Sequence, residues 1–132
     1  MIVQDKNKNK WDHVRFNYKI WMSTEEGEGI LGDGKWQILK AIEEHGSLMT
    51  ATEAMGLTYR RTWGNLKKIE KILGIRIIEK TRGGTGGGKT RLTEDGRRLV
   101  TAFDRFHQKY DGLINDAFEE FKKDLEGEDE QD

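Results

Sequence analysis

A stretch in the middle of the chain carries the side chains best suited to bind a polyanion. It spans residues 57–71 and reads LTYRRTWGNLKKIEK, with Glu70 as its only acid among five Lys and Arg residues. At helical spacing, Leu66, Ile69 and Leu73 share one edge and the basic residues lie opposite. This pattern predicts a helix that docks on nucleic acid. The alternative is a basic face that is merely solvated, because charge runs alone rarely specify a ligand.

A second candidate site is the segment 83–90, which reads GGTGGGKT and matches the phosphate-loop pattern G-x-x-x-x-G-K-[ST]. In a nucleotide site a helix begins at the Lys-Thr pair, and glycine amides surround the phosphates. Here Leu92 and Thr93 indicate a strand end and a helix cap instead, and no later strand supplies an aspartate for magnesium. Nucleotide binding is therefore the weaker alternative. Backbone amides and basic side chains of this loop can contact DNA phosphates without a metal, although Gly86–Gly88 can also be simply flexible.

The charge distribution separates a basic middle from an acidic end. The 132 residues have a formal net charge of −1, but residues 59–98 hold twelve Lys or Arg against four Asp or Glu. Residues 111–132 hold two against ten. A chain of this length accommodates one domain and one additional element. Local charge governs docking, so we expect a polyanion site in the middle of the chain and a tail that repels DNA.

Other chemistry is poorly supported by the sequence. Cysteine is absent, which excludes disulfides and thiolate catalysis, and no long apolar run or signal peptide is present. The three histidines are scattered with no carboxylate or cysteine at ligand spacing. We therefore predict a cytoplasmic protein that is not an enzyme, has no catalytic residues, and binds no metal, cofactor or membrane.

The elements before the basic helix follow from periodicity and capping residues. Alternating apolar residues from Val14 to Met22 predict a strand with one buried face, and Ile30-Leu31 can return as its partner. Asp33 is the expected N-cap of a helix that ends near His45, with Ile38, Leu39 and Ile42 on its apolar face. Ser47 caps a shorter helix whose buried side is expected to hold Ala51, Ala54 and Met55. A tight turn at Gly56-Leu57 then leads into the basic helix, for which Thr58 is the expected cap and Gly74 the end. This order describes a helix-turn-helix.

The remainder of the chain predicts a wing and a long helix. The β-branched segment 75–80 and the segment 90–92 flank the glycine-rich loop as a hairpin. Thr93 then caps a long helix whose apolar residues recur at steps of four and three, a seam suited to pairing with a second copy. Packing of its first half on its own domain is the alternative. A shifted register of Ile114, Phe118, Phe121 and Leu125 continues the repeat. The predicted dimerisation residues are Leu99, Phe103, Phe106, Tyr110, Leu113, Ala117 and Phe121.

Several of these residues together resemble the N-terminal DNA-binding domain of the molybdate-responsive regulators (ModE) and, more distantly, the LysR-type winged helix-turn-helix. The resemblance spans roughly residues 14–110. It implies an N-terminal hairpin, a winged helix that contacts operator DNA, and a long dimerising helix. The family also has a C-terminal oxyanion-binding domain, for which this sequence shows no counterpart, so molybdate sensing is not carried over. The residues that carry the resemblance are Gly46-Ser47-Leu48, Ala51, Ala54, Gly56 to Arg60, Trp63, Leu66, Glu70, Leu73-Gly74, Gly83-Gly84, Gly86 to Gly88, Leu92-Thr93 and Gly96.

The sequence thus predicts a mainly α (α+β) winged helix-turn-helix that acts as a homodimeric, sequence-specific transcription regulator without an effector domain. A sequence-tolerant chromatin-associated protein is the alternative. The expected segments are a flexible N-terminus (1–13), the winged domain (14–93), the dimerisation helix (94–125) and a disordered acidic tail (126–132). Arg60 is the first candidate for a base contact, and Tyr59 and Trp63 can pack on bases or sugars or belong to the core. The predicted DNA-binding residues are Thr58, Tyr59, Arg60, Arg61, Trp63, Gly64, Lys67 and Lys68 in the basic helix, and Ser47, Arg82, Gly84, Lys89 and Arg91 at the second helix and wing.

Overall fold

The chain folds as a mainly helical α+β winged helix with a long final helix. The computed structural model describes residues 10–81 and 89–130. After a 3-10 turn at Lys10–His13, the elements follow in the order that the sequence predicted. They are β1 (Trp21–Ser23), β2 (Gly29–Gly32), α1 (Asp33–His45), α2 (Leu48–Met55), α3 (Tyr59–Leu73), β3 (Ile78–Thr81), β4 (Lys89–Leu92) and α4 (Glu94–Glu130).

The helix boundaries are close to those predicted, but the capping side chains differ. Ser47 caps α2 as expected, since its hydroxyl accepts a hydrogen bond from the amide of Thr50 at 3.1 Å. The N-cap of α1 is Gly32, so Asp33 is the first helical residue instead. Thr58 occupies the N-cap position of α3 without a side-chain cap bond, and its carbonyl accepts from the Thr62 hydroxyl. At the other end of α3, Gly74 takes the left-handed conformation (φ 71°), as predicted.

The core of the unit formed by residues 19–105 lies between the first three helices, the wing strands and the start of α4. Leu39 and Ile42 of α1 are fully buried, as are Leu66 and Ile69 of α3. Trp36, which the sequence prediction omitted, is also buried and packs on Phe103. The prediction of which α2 residues are buried is only partly correct. Ala51 is buried there, whereas Ala54 and Met55 are exposed.

Both hairpins are antiparallel, and the first is much shorter than predicted. The alternating segment from Val14 gives a strand only at Trp21–Ser23, and all of its residues are exposed. Alternation is necessary for a half-buried strand but does not supply the hydrogen-bonding partner that a ladder requires. The wing hairpin is confirmed, with Ile78 opposite Leu92 and Thr81 opposite Lys89. Residues 82–88, which follow β3 in the sequence and include Arg82 and Gly84, lie outside the described residues.

The long helix α4 was predicted correctly at its start and too short at its end. The Thr93 hydroxyl accepts a hydrogen bond from the amide of Gly96 at 3.0 Å, which caps the helix. The helix continues to Glu130, so residues 126–130 are helical and not a disordered tail. Each residue added to an existing helix gains a backbone hydrogen bond, and glutamate is a good helix former. Phe103 is buried in the core and Leu99 is partly buried against it. The first part of α4 thus packs on its own domain, which was the alternative to dimerisation for these two residues.

The second unit consists, among the described residues, of residues 10–18 and 106–130. In it, the segment 10–18, expected to be flexible in part, packs along one side of α4. Phe16 lies 5.6 Å from Phe118 between ring centroids, and Trp11 packs edge-on against Phe121. The Tyr18 hydroxyl donates a hydrogen bond to the carboxylate of Asp111. This bond and the contact with His107 hold the pKa of Asp111 below its usual value.

Candidate nucleic-acid interface

Helix α3 separates a buried edge from an exposed basic face, as its periodicity predicted. Thr62, Leu66 and Ile69 are buried in the domain. The opposite positions Arg60, Arg61, Gly64, Lys68 and Lys71 are exposed. A Cβ built on Gly64 meets nothing within 4 Å, so this position is open to close approach by another molecule. The turn that leads into the helix is formed by Gly56, which takes the left-handed conformation (φ 67°) and permits the tight reversal after α2.

The two aromatic residues of α3 pack on each other at the edge of the core. The rings of Tyr59 and Trp63 are stacked, with centroids 6.4 Å apart and planes 11° from parallel. Both side chains are partly buried against the core, so the alternative of core packing applies in part to each. Neither is free to adopt an arbitrary orientation on DNA. What they can offer to a ligand is limited to the portion of each ring that remains accessible.

Acidic neighbours engage three of the predicted DNA-binding cations. Lys67 lies 3.0 Å from Glu70, Lys68 lies 3.1 Å from Glu28 of the first hairpin turn, and Arg91 lies 3.6 Å from Glu79 across the wing. Within the part of the chain that the structure describes, five other exposed cations on α3 and the wing strands have no acidic partner. Those cations are Arg60, Arg61, Lys71, Lys80 and Lys89. A phosphate is thus the natural counter-charge for this second group, because an unpaired ammonium or guanidinium needs no rearrangement to bind it.

Glu70, the only acidic residue of α3, connects this helix to the backbone at the start of the wing. One of its carboxylate oxygens accepts hydrogen bonds from the backbone amides of Ile77 and Ile78, at 2.8 and 3.1 Å, and the other contacts Lys67. Partial burial opposes ionisation, but the two amides and the Lys67 ammonium outweigh it, so the pKa of Glu70 lies below its usual value of 4.5. The carboxylate therefore joins α3 to the first strand of the wing, β3.

The wing contributes Lys89 and Arg91 from β4, with Lys89 and Arg91 exposed and Thr90 between them buried. In a nucleotide-binding loop the Lys-Thr pair begins a helix and presents its hydroxyl to magnesium. Here the pair begins a strand, and the Thr90 side chain is inside the domain, which contradicts the alternative of a phosphate loop. Gly83–Gly88 lie outside the described residues. Ser47, predicted as a DNA contact, uses its hydroxyl as the cap of α2.

Two cations of this face were missing from the predicted DNA-binding set. Lys71 follows the basic stretch on the same side of α3 and is visible in the periodicity. Lys80 belongs to β3, and its ammonium lies 4.6 Å from the centroid of the Trp63 indole. No signal in the sequence places a strand residue beside a particular helix residue, since that proximity depends on how the wing packs. In the described residues, no group of side chains could hold a metal ion, and no helix is long and apolar enough to cross a membrane.

Comparison with known proteins agrees with this architecture. A family model described as bacterial regulatory helix-turn-helix protein, lysR family, matches residues 34–97. The molybdenum transport protein ModE of Azotobacter vinelandii is 28% identical over 102 residues, which are 77% of this chain and 37% of that protein. The molybdenum-pterin-binding protein MopA of Rhodobacter capsulatus is 30% identical over 58% of this chain and 29% of that protein.

The DNA-binding transcriptional dual regulator ModE of Escherichia coli is 30% identical over 54% of this chain and 27% of that protein. The matched part of the chain thus corresponds to little more than a third, or less, of the lengths of these relatives. The family match covers α2, α3 and both wing strands, together with all of α1 except Asp33. Residues 34–97 of this chain therefore match the LysR-type helix-turn-helix model, and the chain is similar to ModE proteins over part of its length.

Proposed function

We propose that this protein is a DNA-binding transcription regulator that recognises a specific base sequence through α3 and contacts the DNA phosphate backbone through its wing. The observation that carries the proposal is the exposed face of α3, where Arg60 and Arg61 have no acidic partner among the described residues while the opposite edge is buried. In a helix-turn-helix, the second of the two helices presents its first residues to base edges in the major groove, and α3 occupies that position here. Arg60 is in the first turn of α3, and arginine can form two hydrogen bonds to one guanine.

The similarity to regulators named for DNA binding and transcription supports the same proposal and a role that is not enzymatic. Molybdenum, which occurs in the names of two of the relatives described above, is not part of the proposal, because the comparison covers 37% of one of those proteins and 29% of the other.

The test of this proposal is the selection of bound fragments from a sheared genomic library at two salt concentrations, followed by sequencing. Enrichment of an inverted repeat whose half-sites lie about one helical turn apart would support a specific dimeric regulator. Retention of DNA without enrichment would favour the sequence-tolerant chromatin protein. Loss of retention at both salt concentrations would overturn DNA binding.

We further propose that the protein is a homodimer formed through the distal part of α4. Two apolar registers run along that part of the helix. One of them, with Ile114 and Phe118, is half-buried under the chain's own segment 10–18. The other contains Phe106 at 49% and Leu113 at 55% exposure, with Tyr110 between them at 39%. Large apolar side chains aligned at steps of four and three are typical of a helix that pairs with a second copy.

This division corrects the set of residues assigned to dimerisation. Leu99 and Phe103 belong to the domain core and Phe121 packs against Trp11, so we assign the interface to Phe106, Tyr110, Leu113 and Ala117. Leu113→Glu would introduce a charge at the centre of that face. We expect this variant to sediment as a monomer at concentrations where the wild type is a dimer. Gln108→Glu, on the opposite side of the helix, is the matched control and is expected to remain dimeric. A dimeric Leu113→Glu variant would refute this interface.

A further inference from the structure

Two ammonium groups lie close to one indole at the junction between α3 and the wing. Lys67 of α3 and Lys80 of β3 lie 4.9 and 4.6 Å from the centroid of the Trp63 ring. Tyr59 stacks on the same indole. The negative face of an aromatic ring attracts cations, so Trp63 holds both lysine side chains close to one point. The arrangement joins residues from two elements that are separated in the sequence.

The charges at this point do not balance. Lys67 has a carboxylate partner, Glu70, at 3.0 Å. Lys80 is exposed and has no carboxylate within hydrogen-bonding distance in the described parts of the chain. A cation at an exposed aromatic face gains only about 0.5–1 kcal/mol and keeps its full charge. One uncompensated positive charge therefore remains at the junction, in a place where a second positive charge is already near. An anion bound there would relieve the repulsion between the two ammonium groups.

The same junction is held in place before any ligand binds. Glu70 accepts hydrogen bonds from the amides of Ile77 and Ile78, just before Lys80 in the chain. The strand continues through the ladder in which Lys80 pairs with Thr90, whose side chain is buried. The backbone at Lys80 is thus fixed relative to α3 through contacts on both sides. A site that is fixed in advance loses less entropy on binding than a flexible lysine does.

We propose that Trp63 and Lys80 form a subsite for one phosphate of the DNA backbone at the junction of α3 and the wing. Lys80 is the residue that binds the phosphate. Trp63 is a positioning residue that directs the Lys80 ammonium and does not read a base. The inference rests on the proposed function, because it takes double-stranded DNA as the ligand. It also changes the role of Trp63, which the sequence associated with packing on bases or sugars.

The first experiment measures how the affinity for an enriched genomic fragment depends on salt concentration. Loss of one phosphate contact lowers the slope of log affinity against log salt by about 0.9. Between 50 and 200 mM salt, we therefore expect the affinity of Lys80→Gln to fall by a factor about 3.5 times smaller than that of the wild type. Lys80→Arg keeps the positive charge and is expected to keep the wild-type slope. An unchanged slope for Lys80→Gln, with its circular dichroism spectrum intact, would overturn the subsite.

A matched control is available on α1. Lys40 also lies over an indole, 4.3 Å from the centroid of the Trp36 ring, and is outside the proposed interface. Lys40→Gln removes the same charge and the same kind of ring contact. We expect its salt slope to equal that of the wild type. Equal reductions in Lys40→Gln and Lys80→Gln would show that the slope reports overall charge, and the subsite would be refuted.

The second experiment tests the positioning role of Trp63 with a double-mutant cycle. If Trp63 acts through Lys80, Trp63→Leu weakens binding in the wild type and has a smaller effect in the Lys80→Gln background, where only its contact with Lys67 remains to be lost. The weakening is expected to be the same for the enriched fragment and for random DNA. A loss of preference for the enriched fragment that persists without Lys80 would mean that the indole reads a base. Trp63→Phe, which keeps an aromatic face, is expected to retain most of the affinity. A circular dichroism spectrum of Trp63→Leu that matches the wild type excludes misfolding as the cause.

These outcomes are distinct from failure of the proposed function. If the wild type binds no DNA, the function itself is refuted and no slope exists to compare. If the wild type binds an enriched fragment and Lys80→Gln behaves as the wild type, only the subsite is refuted. The wild-type titration on enriched and random fragments therefore comes first.

Discussion

Replacement of Glu70 by glutamine tests the connection between α3 and the wing. The carboxylate accepts from two backbone amides whose residues, Ile77 and Ile78, are fully buried. Glutamine has the same shape and can keep both bonds through its amide oxygen, but as neutral bonds. Charged hydrogen bonds contribute about 1.5–3 kcal/mol and neutral ones about 0.5–1.5 kcal/mol. The difference is about 1 kcal/mol per bond, so we expect a loss of roughly 2 kcal/mol in the free energy of unfolding.

The assay is thermal and urea unfolding followed by circular dichroism. For a domain of this size, a loss of that magnitude lowers the melting temperature by roughly 8–16 °C. Glu44→Gln, an exposed position on α1, is the control and is expected to melt as the wild type does. A melting temperature of Glu70→Gln within a degree or two of the wild type would refute this account of the carboxylate.

The pH dependence provides a second check on Glu70. Its pKa in the folded protein lies below the usual value of 4.5, because the amides and Lys67 favour the charged form more than burial opposes it. A depressed folded pKa contributes stability above the unfolded pKa and loses it as the pH falls through the folded pKa. The stability difference between the wild type and Glu70→Gln should therefore be complete above pH 4.5 and shrink as the pH is lowered further. A difference that stays constant from pH 7 down to acid unfolding would contradict the ionised carboxylate.

Two further predictions concern base recognition and helix packing. Arg60→Ala should reduce discrimination between operator and random DNA by about 1–3 kcal/mol, whereas Lys89→Ala should weaken binding to all sequences alike in the same titrations. Equal losses on both DNAs for Arg60→Ala would refute a base contact. Gly96→Ala should destabilise the domain by about 1–3 kcal/mol in urea unfolding, since a Cβ there would lie 2.2 Å from the carbonyl oxygen of Ile77. Gly112→Ala, which meets open space in the same helix, should instead stabilise by about 0.5–1 kcal/mol, and similar effects of both substitutions would contradict the close contact at Gly96.

The order and type of the main elements followed from local physical chemistry. Helix periodicity, the Ser47 and Thr93 caps and the left-handed glycine at Gly74 are properties of a few consecutive residues, so the sequence alone located the four helices and the wing. The division of α3 into a buried edge and a basic face has the same origin, because a helix places side chains by angle. The candidate DNA-binding surface was therefore accessible from the sequence.

The tertiary structure decided which of the polar and apolar residues have partners. Glu70 looked like an exception in a basic helix, and only the folded chain shows that it binds the amides of the wing. Lys80 could not be assigned to the site, because its approach to Trp63 depends on the packing of β3 against α3. The apolar residues of α4 do not form one continuous seam, because Phe103 is buried in the core and segment 10–18 covers the side of the helix that carries Phe118. Periodicity states which side chains share a face, but contacts between distant segments determine whether that face is covered, paired with charge or left for another molecule.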